Sequence, residues 1–130
     1  MMSIQELAQQ ERIPKKFLEQ VLLALKKAGI LQSSRGKTGG YSLGRSPADV
    51  SLEDIIRAVD GPTLALPCLS PTLPTKCADC VSLENCWLRG VMAEVDTEVS
   101  AVLDHVSLAD MSRRAAKSQR RTVGAAMYHI

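Results

Sequence analysis

The chain has 130 residues, of which 45% are apolar, 23% charged and only 3% aromatic, with a net charge of +2. That length bounds it to one domain, or a small domain with an attached element, and its modest core must be built from Leu, Val, Ile and Ala, a mixture that favours helices. No apolar signal core follows Met1 and Met2, and no apolar run approaches the about eighteen residues of a membrane span, so a cytoplasmic protein without a membrane partner is expected.

Charge is segregated along the chain. Residues 12–45 carry eight cations (Arg12, Lys15, Lys16, Lys26, Lys27, Arg35, Lys37 and Arg45) against one acid, Glu19, whereas residues 63–111 carry two bases and seven acids. A front half that meets a polyanion and a back half that does not is the physical reading.

In chain order, Ser3 and Glu6 form a capping box for a short helix over 3–10, with Ile4, Leu7 and Ala8 on one face. After the break "ERI", Pro14 is placed at the first position of a longer helix. Its apolar residues Phe17, Leu18, Val21, Leu22, Leu25 and Ala28 recur at helical spacing before Gly29. Its other face offers Lys15, Lys16, Glu19 and Gln20. From Ile30 to Arg45 the period becomes alternating, with Gly36, Gly39 and Gly40 supplying the backbone freedom of a hairpin tip.

Ser51 and Asp54 cap a third helix with apolar face Leu52, Ile55, Ile56 and Val59, stopped at Gly61. Four prolines between 62 and 81 exclude regular structure there. From Leu88, the residues Met92, Val95, Val99, Val102 and Val106 follow in alternating steps of four and three, the pattern of a helical seam suited to a homodimer. The basic tail from Ser112 lacks periodicity and is expected to be disordered.

A short helix, a tight turn, a longer basic helix and a glycine-tipped hairpin make a winged helix-turn-helix, for which double-stranded DNA is the expected partner. Lys15, Lys16, Glu19 and Gln20 on the second helix are the candidates for the major groove. Arg35, Lys37 and Tyr41 on the wing are candidates for the minor groove and phosphates.

The cysteines run C-x8-C-x2-C-x5-C, from Cys68 through Cys77 and Cys80 to Cys86, with "CADCVSLENC" holding the last three. In a reducing compartment a metal or redox role outranks disulfides. Zinc and an iron–sulfur cluster both accept four thiolates, and the spacing does not separate them.

The stretch "SIQELAQQERIPKKFLEQVLLALKKAGILQSSRGKTGGYSLGRSP", then "VSLEDIIRAVDG", the cysteines, and a helix ending "VLDHVSLADM" resembles the Rrf2 family of bacterial winged-helix transcription regulators. The wing "RGKTGGYSL" and the phrase "IPKKFLEQ" carry the resemblance most specifically. It implies a mainly α fold: a winged helix-turn-helix over 1–62, a cysteine-bearing cluster loop over 63–86, a dimerisation helix over 87–111 and the tail over 112–130. It places Lys15, Lys16, Glu19 and Gln20 on the recognition helix and makes Arg35 the minor-groove arginine of the wing.

The resemblance also implies an iron–sulfur cluster held by Cys68, Cys80 and Cys86, [2Fe–2S] ahead of [4Fe–4S], with operator affinity set by redox, nitric oxide or iron–sulfur status. Where one kind of cluster-binding relative places a histidine, this chain has Arg89, which cannot coordinate, and the first helix from which another kind supplies an acidic ligand is absent from the sequence, so Cys77 is the candidate fourth ligand or else a spare. His105 and His129 are not expected to ligate. Relatives begin with a further amphipathic helix, so a misplaced start, a trimmed chain and a shortened relative are each consistent with the sequence. Any of the three predicts under-packed faces on the first two helices and on residues 52–59. The alternatives from other classes are a dithiol enzyme using Cys77 and Cys80, a zinc-stabilised or cofactor-free DNA-binding module, and a truncated partner subunit.

Overall fold

Ser3 opens α1 (Ile4–Glu11) with a reciprocal cap: its hydroxyl accepts from the Glu6 N–H at 3.2 Å, and its own N–H donates to the Glu6 carboxylate at 2.8 Å. The computed structural model describes the backbone of residues 1–128 and the side chains of residues 1–121; His129 lies outside the described residues. α1 stops at Arg12, whose left-handed backbone (φ 55°) turns the chain while its N–H still reaches the Ala8 carbonyl.

Pro14 then caps α2 (Lys15–Lys27) from just outside it, one residue ahead of the expected position. Leu18 and Leu22 point inward and are buried, but Phe17 is 58% exposed. Phe17 lies about 100° around the helix from Leu18, off the stripe that Leu18 and Leu22 define. Gly29 (φ 75°) ends the helix and feeds Ile30 into the core.

The wing consists of β1 (Leu31–Ser34) and β2 (Gly40–Leu43), antiparallel with Leu31 opposite Leu43 and Ser34 opposite Gly40. Met2 adds a rung outside β2, exchanging backbone hydrogen bonds with Tyr41 at 3.0 and 2.8 Å. This close approach explains Gly40: a Cβ there would stand 2.4 Å from the Met2 carbonyl oxygen.

A short 3-10 turn at Pro47–Asp49 leads to α3 (Leu52–Asp60), capped reciprocally by Ser51 and Asp54 as the sequence predicts. The joint around Val50, which is fully buried, ties three elements together. Leu52 N–H donates to the Val106 carbonyl at 2.8 Å and Leu108 N–H to the Val50 carbonyl at 2.7 Å. The corner between α4 (Trp87–Asp104) and α5 (Leu108–Tyr128) is thereby bonded to the start of α3.

Two expectations change. Disorder is predicted from Ser112, yet α5 continues through that point to Tyr128. Its start is capped by Ser107 and Asp110, whose N–H groups each donate to the other's side chain at 3.0 and 3.1 Å. Ala, Arg, Lys and Gln then sustain a helix by propensity without an apolar stripe. The seam of α4 also divides: Leu88, Val95 and Val102 are exposed together with Val91, while Met92, Val99 and Val106 are half-buried. The cause is that α4 packs the face of Arg89, Asp96, Ser100 and Leu103 inward, and the seam straddles the edge of that face.

Among the described residues only Leu18, Leu22, Ile30 and Val50 form a buried apolar core. At roughly 1.5–3 kcal/mol each, that core is small for a stable domain. The exposed apolar positions on α2 and α4 therefore matter to the energetics of the whole protein.

Candidate nucleic-acid interface and cysteine site

Lys15, Lys16, Glu19 and Gln20 all lie exposed on the first turns of α2. The far end of α2 is fixed to the wing, because Lys26 Nζ donates to the Ser33 hydroxyl at 2.7 Å. Arg35 and Lys37 stand exposed at the wing tip. Tyr41 is half-buried, its backbone engaged by Met2, so it belongs to the inner strand of the wing and not to the tip. At the wing root Arg45 pairs with Asp54 across 3.8 Å, which links β2 to the cap of α3. Sequence reasoning missed Glu53, buried at 6% exposure and satisfied by Arg57 and by the Thr63 hydroxyl at 3.3 Å. The glutamate anchors the start of the cysteine loop to α3.

The loop between α3 and α4 brings the cysteines together at the first turns of α4. Cys68 sits in a 3-10 turn at Pro67–Leu69, held by the Thr75 N–H donating to the Pro67 carbonyl at 3.0 Å. Cys77 and Cys80 are joined by a tight turn, the Cys80 N–H donating to the Cys77 carbonyl at 3.0 Å, and Cys86 caps α4. Cys68, Cys77 and Cys86 line a single apolar cavity of about 260 Å³, walled by Leu66, Leu88 and Met92. Cys80 reaches the group through the Cys77 thiol. Partial burial first, and then the neighbouring thiols of Cys77 and Cys86, push its thiol above the usual range.

Arg89 organises this loop. Its Nε donates to the Cys68 carbonyl at 3.0 Å and its Nη1 to the Leu83 carbonyl at 3.4 Å, so one guanidinium on α4 pins the loop on both sides of the Cys77–Cys80 turn. The only hint in the sequence was a lone arginine three residues after the last cysteine.

All four cysteines are free thiols. Among the described residues no three His, Cys, Asp or Glu side chains converge as the ligands of a single metal ion. The donor chemistry nevertheless fits a soft thiolate-bound group: the thiols of Cys68, Cys77 and Cys86 line an apolar cavity beside a fixed guanidinium, and Cys80 adjoins Cys77. His105 is remote from this group, its Nδ1 donating to the Ala101 carbonyl at 2.6 Å near the end of α4.

The model of the Rrf2 family, described as an iron-dependent transcriptional regulator, matches residues 1–114. The chain belongs to the Rrf2 family. It is 44% identical over 110 residues to an Rrf2-like HTH-type transcriptional regulator of Rhodobacter capsulatus, covering 85% of this chain and 73% of that protein. Among solved structures it is similar to IscR of T. potens, with TM-score 0.63 and 31% identity over 91% of this chain and 73% of the other. It is also similar to CymR, the global cysteine regulator of B. subtilis, with TM-score 0.62 and 28% identity over 87% of this chain and 78% of the other.

This Rrf2 chain is accordingly a winged-helix transcriptional regulator with DNA as its partner, and not an enzyme; the dithiol-enzyme alternative is set aside. Among the described residues no helix is long and apolar enough to cross a membrane.

Proposed function

We propose that this Rrf2 regulator is a homodimer whose affinity for a pseudo-palindromic operator is controlled by an iron–sulfur cluster at the cysteine loop. The observation that carries the reading is the cavity at the first turns of α4, onto which Cys68, Cys77 and Cys86 all open beside the Arg89 guanidinium. Cys68, Cys80 and Cys86 would hold the group, with Cys77 completing an all-thiolate set. The cluster would supply a centre that oxygen, nitric oxide or iron scarcity can alter.

The chain's own residues supply the rest. Leu88, Val91, Val95 and Val102 offer an apolar stripe for a second copy of α4, so that two recognition helices are presented together. Lys15, Lys16, Glu19 and Gln20 then face the major groove, and Arg35 and Lys37 meet the minor groove and phosphates, with Tyr41 supporting the wing. Order in the loop is transmitted by Arg89 to α4, and from the α4–α5 corner to the start of α3 through the bonds around Val50. An equilibrium between ordered and released loop would thus shift the separation of the two recognition helices.

The experiment is operator binding by protein reconstituted anaerobically with iron and sulfide, against the same protein stripped of both. A change in affinity supports the proposal, and equal affinity removes the sensing step. A cofactor-free regulator is the second reading, favoured by the absence of converging metal ligands among the described residues.

A further inference from the structure

The basic tail has no place in the function derived so far. From residue 111 to residue 130 the sequence holds Arg113, Arg114, Lys117, Arg120 and Arg121 and not one acid. In the structure these cations are carried by α5, and all five are exposed. Arg113 is paired with Asp110. Arg114, Lys117 and Arg121 follow at steps of three and four and line a common shallow groove with Ser118. That spacing puts three cations along one side of a helix over two turns.

Where α5 begins is equally informative. Its first residue, Leu108, donates its backbone N–H to the Val50 carbonyl at 2.7 Å, and Ser107 bridges to Ser51. Val50 closes the short 3-10 turn Pro47–Asp49 that follows β2. The cationic strip therefore starts about one and a half helical turns from a joint adjoining the root of the wing.

We infer that Arg114, Lys117 and Arg121 on α5 form a second phosphate-binding strip, which engages duplex DNA in a sequence-independent way and adds to the contacts made by α2 and the wing. The chemistry matches a polyanion: several cations of one sign on one helix, with Asp110 before them, already paired with Arg113, as the one acid in reach of Arg114, and no acid beyond it. The inference rests on the DNA-binding reading above but is independent of the cluster. It adds affinity and salt dependence without adding sequence preference, because phosphate contacts carry no base information.

The test measures binding of the full chain to a mixed-sequence duplex of about 30 base pairs by fluorescence anisotropy over a series of salt concentrations, a probe for which affinity is electrostatic. The triple variant R114Q/K117Q/R121Q keeps good helix formers, and its helicity is checked by circular dichroism. The expected result is a slope of log affinity against log salt that is shallower by about 2.7 per protomer, with R114K/R121K retaining the wild-type slope. A triple variant with the wild-type slope overturns the inference. A variant that keeps the slope but loses its oligomeric state assigns the strip to a second copy of the chain and also overturns it. Wild-type protein that binds no duplex at low salt contradicts the DNA-binding reading itself, and is thereby distinguished from failure of the strip alone.

Discussion

Arg89 Nε donates a hydrogen bond to the backbone carbonyl of Cys68 at 3.0 Å, across 21 positions of sequence. With the Leu83 carbonyl on the same guanidinium, this contact is the connection between the proline-rich loop and α4. Arg89→Ala removes two bonds from a charged donor at a half-buried site. The expected cost is roughly 1.5–3 kcal/mol for the charged hydrogen bonding, felt locally as opening of the loop. Hydrogen exchange should show faster amide exchange over residues 67–86 with little change in α2. Uniform protection in the variant would deny the arginine this role.

The exposed stripe on α4 predicts the oligomeric state. Val102, 66% exposed in the single chain, is expected to be buried twice in a symmetric seam. Val102→Asp should cost about 1.5 kcal/mol or more at each of the two copies, weakening the dimer on the order of a hundredfold. Light scattering across a dilution series reads this directly. A wild-type chain that is already monomeric at high concentration would refute the seam.

The wing makes a quantitative prediction about DNA. Arg35→Ala should weaken binding and reduce the salt slope by about 0.9 per protomer if the side chain neutralises one phosphate. If it enters a narrow minor groove, discrimination against G·C at that position should also relax. Unchanged affinity and slope at moderate salt would take the wing out of the interface.

Helix α5 should be sensitive to acid. The Ser107 N–H, then the Ser107 hydroxyl, and after them the charges of Arg113, which is paired with it, and Arg114 hold the Asp110 carboxyl below its ordinary range. A folded-state value lower than the unfolded one means that the carboxylate stabilises the folded form at and above the ordinary value of about 3.9. That contribution fades as pH falls from there through the lowered folded value. The Glu6 cap of α1 behaves in the same direction, through the Ser3 N–H. Far-ultraviolet circular dichroism should lose helicity on acidification in that window, and Asp110→Ala should show part of the loss already at neutral pH.

Much of the fold was legible because its signals are local. The Ser3–Glu6 and Ser51–Asp54 caps, the stop at Gly29 and the hairpin between Leu31 and Leu43 each depend on residues a few positions apart, and the structure repeats them. Phe17 was misjudged because periodicity gives a stripe but not its edges. Helix α5 is hard to read because its cap lies at Ser107, before the basic stretch, and its interior is strongly polar with few large apolar residues. The gathering of the thiols and the reach of Arg89 to Cys68 depend on loop closure, which no spacing rule supplies. The burial of Glu53 beneath the exposed Arg57 was hidden for the opposite reason: a charged pair four apart on a helix reads as surface until the burial of one partner is seen.

The iron–sulfur group proposed for Cys68, Cys77, Cys80 and Cys86 has a direct chemical signature. It is tested most directly by iron and acid-labile sulfide per chain in protein purified without oxygen, read together with its visible absorption. Coloured protein containing both elements is expected, with colour and iron lost when Cys68, Cys80 or Cys86 is replaced by Ala. Colourless protein with neither iron nor sulfide, even after anaerobic reconstitution, would contradict it.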